Sequence, residues 1–456
     1  MAQPSSGQLK IVRLDGVWRR LLLAVPLVAV LISAWVVVRW CIGNTLAEFP
    51  PNEGVVHDAA RLAPDDPQVY YSLAVFARNS FTPGALEEAL AHYERATSLS
   101  PNDYRLWLEL GRVRGQAGDA AGGERALRRA VELAPSYAMP RWYLGNLLLR
   151  AGRQDEAFAE LRRAAEFDPQ LRPQIFALAW NLYGGDAARM RAAAGESAQA
   201  RAQLAEYLIK QKRADDAIAV WSALRADEKK AQRASGEGLM RALFEARRFH
   251  AALDVYRSIV PESGGAVSVG QFLNGGFEKD INAAEKNPFD WEVRPAPQVQ
   301  MGIDTRNPHG GGRSLRLLFN SRSGLNFNNV SQLVVVEPST RYRLEFFIRT
   351  SELKSATSPV AEVIDRGEGG RVLAASAPAP ADAGDWQQVS LDFTTPAQAE
   401  AVTVQIVLPR CPEGTCPIFG RVWYDDFSLQ RIGADSGANR AAADGDARLS
   451  TAARPS

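Results

Sequence analysis

The side chains that most often carry chemistry are sparse in this 456-residue sequence, and their spacing excludes more than it offers. The four histidines, His57, His92, His250 and His309, lie far apart and form no metal-ligand spacing and no triad order. There is no G-x-x-x-x-G-K phosphate loop and no G-x-S-x-G nucleophile elbow. Gly310-Gly311-Gly312 precedes a strand-like run rather than a helix, so it cannot cradle a phosphate on a helix N-terminus. The carboxylate pair Asp215-Asp216 opens a helical pattern, where negative charge is favoured. A glycosidase needs two carboxylates at a controlled separation in a cleft, and nothing in the spacing singles out such a pair. Cys411 and Cys416 bracket a Pro-Glu-Gly-Thr loop between two strand-like runs. In an exported domain that spacing can close a disulfide across a hairpin; two free thiols or a metal clip are the alternatives. The residue types point away from an enzyme.

Composition narrows the partners. The 53 basic and 52 acidic side chains nearly cancel, so no charge excess exists to hold a nucleic-acid backbone. Hydrophobic residues at 46% and charged residues at 23% describe ordinary globular domains. Three cysteines are too few for a disulfide scaffold.

Residues 21–38 read LLLAVPLVAVLISAWVVV, without a charge and long enough for a bilayer core of about 30 Å. Trp18 and Trp40 flank the run at headgroup positions. Lys10, Arg13, Arg19 and Arg20 precede it, and Arg39 is followed by Glu48, Glu53, Asp58, Asp65 and Asp66. The charge asymmetry predicts a cytoplasmic N-terminus (1–17), a signal-anchor helix (18–41) and an exported body; together with the style of the domains that follow, the anchor points to the inner membrane of a Gram-negative cell with the bulk of the chain in the periplasm. A cleaved signal peptide is the alternative, but no small-x-small site follows the run. Cys41 lacks the small preceding residue of a lipobox and reads as an ordinary thiol.

Residues 51–262 are rich in Ala, Leu, Arg and Glu at helical spacing and carry a period of 34. Pro101, Pro135 and Pro169 are one period apart; Leu110-Gly111 returns as Leu144-Gly145, Leu127 as Leu161 and Ala130 as Ala164. Trp107 precedes the first Leu-Gly pair, Ala157 supplies the first small residue of the second helix, and Gly123 stands at that place one unit earlier. The pattern resembles the tetratricopeptide repeat, in which two antiparallel helices meet at small residues and Pro ends each unit. Fainter units surround the centre: Tyr70 to Pro101 upstream, Leu204 to Leu224 and Leu239 to Ile259 downstream, and a diverged pair broken at Gly184-Gly185, about five pairs in all. The resemblance implies a concave face that takes a protein partner, with Tyr71, Trp142 and Tyr143 as candidate lining; a spacer is the alternative.

After a linker at 261–265 the pattern changes to alternating β-branched and aromatic runs at 315–319, 331–336, 342–348, 388–393, 402–408 and 422–429. They predict an all-β sandwich or jelly roll of eight or nine strands over 268–432. Residues 433–456 are low in bulky apolar residues and read as a disordered tail. The order Asn274-Gly-Gly-Phe277-Glu278, Gly311-Gly-Arg-Ser-Leu315, Pro338-Ser-Thr-Arg-Tyr342, Trp386-Gln-Gln-Val389 and Tyr424-Asp-Asp-Phe-Ser-Leu429 resembles carbohydrate-binding modules of the galactose-binding-like jelly-roll type. That resemblance implies a structural calcium held by Glu278 and by Asp425 or Asp426, of which only one should face inward. It also implies glycan binding on an exposed aromatic platform. The candidates are Phe327, set among Asn326, Asn328 and Asn329, with Trp291 and Trp386; Phe327 can equally belong to the core, and in this fold the two tryptophans are core more often than platform.

The sequence therefore predicts a membrane helix, an all-α repeat solenoid and an all-β jelly roll. Its most direct functional reading is a non-catalytic anchored adaptor that binds a protein and a polysaccharide, in surface-polysaccharide assembly or export. A scaffold without sugar binding is the alternative.

Overall fold

The computed structural model describes residues 17–80, 82–260, 267–281, 287–367, 370–411 and 416–433; the side chains of residues 19, 20, 22 and 23 are not among them. The predicted cytoplasmic N-terminus, the linker and the C-terminal tail fall outside the described residues, apart from Val17 and Gly433. Contacts divide the chain into two units, residues 1–195 and 196–456.

The first unit is helical. It comprises α1 (Val17–Glu48), α2 (Glu53–Leu62), α3 (Pro67–Asn79), α4 (Ala85–Leu99), α5 (Tyr104–Gln116), α6 (Ala120–Leu133), α7 (Ala138–Arg150), α8 (Gln154–Phe167), α9 (Arg172–Tyr183) and α10 (Ala187–Ala194). Consecutive helices pair, α3 with α4, α5 with α6 and α7 with α8. Local chemistry sets the starts: Asp66, Asp103, Asp119 and Asp186 each accept a backbone N–H of the first turn. The glycines set how close the pairs come. A Cβ on Gly111 would lie 2.6 Å from Leu127 Cγ, and one on Gly145 2.7 Å from Leu161 Cγ. Gly123 lies against the Gly111 carbonyl and the Gly115 backbone, so α5 and α6 touch backbone to backbone there. Tyr93, Leu110, Leu127, Ala130, Leu144, Ala157, Leu161 and Ala164 are buried, as the repeat requires. Trp107 donates its indole N–H to the Pro101 carbonyl, which ties the start of α5 to the turn before it. The diverged pair expected near Gly184-Gly185 is α9 and α10, with Gly184 left-handed at φ 60°.

The second unit opens with α11 (Ala198–Lys210), α12 (Ala214–Ser222), α13 (Ala226–Ala231), α14 (Arg233–Glu245) and α15 (Phe249–Ile259). Among the described residues ten strands follow: β1 (Glu292–Val293), β2 (Val299–Asp304), β3 (Ser314–Ser321), β4 (Val330–Val335), β5 (Arg341–Ser355), β6 (Val360–Asp365), β7 (Val372–Ala375), β8 (Gln387–Thr394), β9 (Ala401–Val407) and β10 (Ile418–Arg431). They form two five-stranded antiparallel sheets, ordered β1-β4-β9-β6-β7 and β2-β3-β10-β5-β8. Alternate residues of the facing strands build one core, with Leu344, Phe346 and Ile348 of β5 against Val402, Val404 and Ile406 of β9. Tyr342, Phe346 and Phe393 are buried in it. The strands beyond the six alternating runs include β1 and β7, of two and four residues, too short to carry a period. Cys411 and Cys416 form a disulfide, with Cα atoms 5.8 Å apart.

Helices and sandwich are not independent within this unit. Leu333, Val335 and Ala401 point away from the sandwich core yet are buried, and α15 packs against β4. Phe289 stands between Phe244 of α14 and Tyr256 of α15, with ring centroids 5.7 Å from each. The His250 backbone N–H donates to Glu400, and Arg247 donates to the Gly367 carbonyl.

Candidate functional site

Two places in the second unit bring polar and aromatic side chains together. The first is a cleft of about 700 Å³ beside the outer face of the β1-β4-β9 sheet. Ser331 and Leu333 of β4 and Thr403 of β9 form its floor, because they occupy the alternate positions that face away from the core. Arg241, Phe244 and Glu245 of α14 form one wall. Arg366, just past β6, and the 287–295 segment, with Asp290, Glu292 and Arg294, complete it. Burial raises the Asp290 carboxyl above the ordinary range, although it accepts the Trp291 backbone N–H. Arg294 lies 3.8 Å from Glu292, within ion-pair reach. Hydroxyls, carboxylates and guanidinia beside Phe244 give such a cleft both hydrogen-bonding and apolar contact surface, the composition of small-ligand sites.

The second place is a turn over the outer face of the other sheet. The His309 ring stacks on Phe347 at 3.5 Å between centroids and meets Trp386 edge-on at 5.7 Å. His309 Nδ1 lies 2.7 Å from Asp426 Oδ2. Asp425 is fully buried beneath this turn and accepts the backbone N–H groups of His309 and Gly310 on one oxygen and that of Asp426 on the other. Burial pushes its carboxyl up to about 6, with the Asp426 charge adding to the shift. Asp426 sits on a β-bulge at φ 50°, partly exposed, so the two neighbouring carboxylates face different surroundings. Glu278 accepts the Gly312 and Arg313 backbone N–H groups. Gly311 holds the left-handed conformation at φ 58°, which favours glycine, and its lack of a side chain leaves room for Glu278 Oε1, as Gly310 does for Asp426 Oδ2.

The sequence-predicted residues separate accordingly. Glu278, Asp425 and Asp426 all border the 309–313 turn. Among the described residues no three acidic, imidazole or thiol side chains converge to hold a metal ion, and Glu278 turns one oxygen to the Gly312 and Arg313 N–H groups. Trp291 and Phe327 are not platforms. Trp291 is 3% exposed, packs on Phe277 and Phe427 and gives its indole N–H to the Asn274 carbonyl. Phe327 is 1% exposed against Phe319. Both rings fill the sandwich core, which leaves no open face for a sugar. Trp386 is half-buried and borders the His309 turn. On the repeats, Tyr71 packs edge-on against Tyr93, Arg112 lies 4.4 Å over the Tyr143 ring, and Trp142 is half-buried. The Arg and Asp residues of the cleft and the stack under His309 carry no sequence signal; strands and helix far apart in the chain assemble them.

Comparison with known proteins matches two stretches of the chain. Residues 108–171 match the tetratricopeptide repeat family. Residues 269–415 match a carbohydrate binding domain family. No curated protein matches the chain. Solved structures with local likeness include the CBM22-1 xylan-binding domain of Paenibacillus barcinonensis Xyn10C, at 14% identity, covering 37% of this chain and 99% of that one, with a TM-score of 0.26. They also include YrrB, described as a tetratricopeptide protein with an unusual peptide-binding site (16% identity, 44% and 89% covered, TM-score 0.24), and MamA (12% identity, 43% and 89% covered, TM-score 0.25). The chain thus carries tetratricopeptide repeats, which imply protein–protein interaction, and a carbohydrate-binding-type sandwich, which implies carbohydrate binding; both families are non-catalytic.

Proposed function

We propose that the protein is a membrane-anchored, non-catalytic adaptor whose sandwich binds a polysaccharide and whose repeats bind a protein partner, in surface-polysaccharide assembly or export. The observation that carries the sugar reading is the cleft on the β1-β4-β9 sheet, with Ser331, Thr403, Arg366 and Asp290 around it, in a domain of the carbohydrate-binding family. A pyranose offers hydroxyls for such polar groups and an apolar face for contacts like Phe244. The anchor reading is supported by the helical stretch at residues 24–48, which contains an 18-residue window of mean hydropathy 2.2, and by the basic residues before it. Inner-membrane location and a periplasmic body belong to this proposal, as does the protein partner on the concave repeat face.

The test is a polysaccharide array probed with the purified full chain. Saturable binding that Arg366→Ala and Thr403→Ala each weaken by about tenfold, roughly 1.4 kcal/mol, supports the cleft. Binding lost with Trp386→Ala but kept in both cleft variants moves the site to the His309 turn. No binding to any glycan by the folded chain leaves a protein-assembly scaffold.

A calcium ion at Asp425 and Asp426 is part of the same proposal. A desolvated carboxylate beside a second one is the charge arrangement that a divalent cation relieves, and backbone carbonyls would complete its oxygen shell. Millimolar calcium should raise the melting temperature of the full chain, and Asp426→Asn should abolish the rise. An unchanged melting temperature removes calcium from the reading.

A further inference from the structure

The membrane-type helix and the repeat array share one uninterrupted element. α1 runs without a break from Val17 to Glu48, through the apolar run and on past it. Its last three turns are not free. Gly43 lies so close to α2 that a Cβ there would sit 2.7 Å from Ala63 Cβ. Ala47 is fully buried in a cluster with Val56, Ala59, Ala63, Val69 and Leu73 of α2, α3 and the turn between them. Polar bonds fix the same contact. Arg39 donates to the Leu62 and Arg61 carbonyls at the C-terminal end of α2. Asn44 donates to Asp66, and Ser72 donates to the Ala47 carbonyl. These contacts seat a glycine of one helix tightly against its neighbour, as Gly111 and Gly145 do in the central pairs.

We infer that α1 is at once the membrane span and the first helix of the repeat array, so that the turn at residues 62–66 is held against lipid headgroups with no flexible linker between bilayer and repeats. The inference rests on the reading of α1 as a span. Its geometry follows from helix rise. The charge-free run ends at Val38, and Gly43 stands only five residues on, about 8 Å along the axis. Arg39, at the boundary, reaches the end of α2, so that end is at the same level. Trp40 beside it has the amphipathic ring suited to the interface. α2 returns toward the bilayer and α3 leads away from it, so the 62–66 turn is the edge nearest the lipid. The occupant of that edge is therefore the headgroup layer of the bilayer that α1 crosses, and Arg61, Asp65 and Arg95 are charged groups suited to meet it.

The experiment uses the full chain reconstituted in phosphatidylcholine–phosphatidylglycerol vesicles, with Cys41→Ser removing the free thiol and the disulfide left intact. Spin labels at Asp65→Cys and, separately, at Glu87→Cys report depth from the balance of oxygen and nickel-chelate accessibility. The expected result is an immobilised label at headgroup depth for residue 65 and a water-exposed one for residue 87. Gly43→Leu should move the residue-65 label into water while the chain stays bound. A mobile, aqueous label at residue 65 in a chain that resists carbonate extraction overturns the shared helix and leaves the span standing. A label that ignores Gly43→Leu overturns it too. Release of the chain by carbonate removes the span reading and this inference with it.

Discussion

Small residues in the repeats act through distance, and that makes their substitution predictable. Gly111 and Gly145 stand under Leu127 and Leu161 with no room for a methyl group. Gly111→Val or Gly145→Val should each destabilise the first unit by about 1–3 kcal/mol, read as a lower denaturant midpoint, whereas valine at the exposed Arg125 should change little. Asp304 illustrates a different residue-scale effect. Burial alone would raise its carboxyl, but the Trp423 indole N–H, the Arg306 backbone N–H and the charges of Arg316 and Arg306 outweigh burial and hold it below the ordinary carboxylate range. Its stabilising share is therefore present above pH 4 or so and is lost as pH falls through the depressed value. Trp423→Phe removes the indole donor and should cost about 1–3 kcal/mol at neutral pH. Acid unfolding should also shift to higher pH, and an acid titration followed by tryptophan fluorescence or circular dichroism would show it. Proximities were legible in the sequence where motifs fixed them, as with Glu278, Asp425 and Asp426 around one turn. They were not legible where burial decides: Trp291 and Phe327 look like platforms by type and neighbours, and only the packing of Phe277, Phe427 and Phe319 shows their faces taken. His309 looked isolated because its partners, Phe347, Trp386 and Asp426, are 38 to 117 residues away in sequence.

At the scale of elements, period and alternation did most of the predictive work. The 34-residue repeat placed α5 to α8, and alternation placed β3, β4, β5, β8, β9 and β10, because in both cases the pattern is the burial pattern. It could not give the partner of α2, since α1 looks like lipid-facing sequence and its repeat-like end at Gly43 lies only a few residues beyond the apolar run. Nor could it show that α14 and α15 cover the β4 face, because Leu333 and Val335 in a strand read as core whichever layer buries them. That cover has a consequence for local stability. Phe289 is buried between Phe244 and Tyr256, so Phe289→Ala opens a cavity and should cost about 3–5 kcal/mol. Hydrogen exchange should then rise together in α14, α15 and β4. Exchange confined to the helices would mean that sheet and helices hold together by other contacts.

For the whole chain, one compartment must satisfy two features far apart in sequence: the charge asymmetry around α1 and the disulfide between Cys411 and Cys416. A disulfide between a pair five residues apart persists in an oxidising compartment and is kept reduced in an ordinary cytosol. On the proposed reading of α1 as a span, the positive-inside asymmetry would send everything after it to the far side of the membrane. Both features fit the periplasmic body proposed above, and the cysteines themselves can test it, because Cys41 is exposed and unpaired while the other two are joined. Alkylation of the chain purified under denaturing, non-reducing conditions should modify one thiol per molecule, and three after reduction. Deleting residues 21–38 should trap the chain in the cytosol and give three reactive thiols without reduction. An active alkaline phosphatase fused after residue 432 should accompany the first pattern and an inactive one the second. Three thiols from the intact membrane-bound chain, with an inactive fusion, would instead place the sandwich in the cytosol. The glycan it binds would then have to be one made or stored there rather than one passing through the envelope.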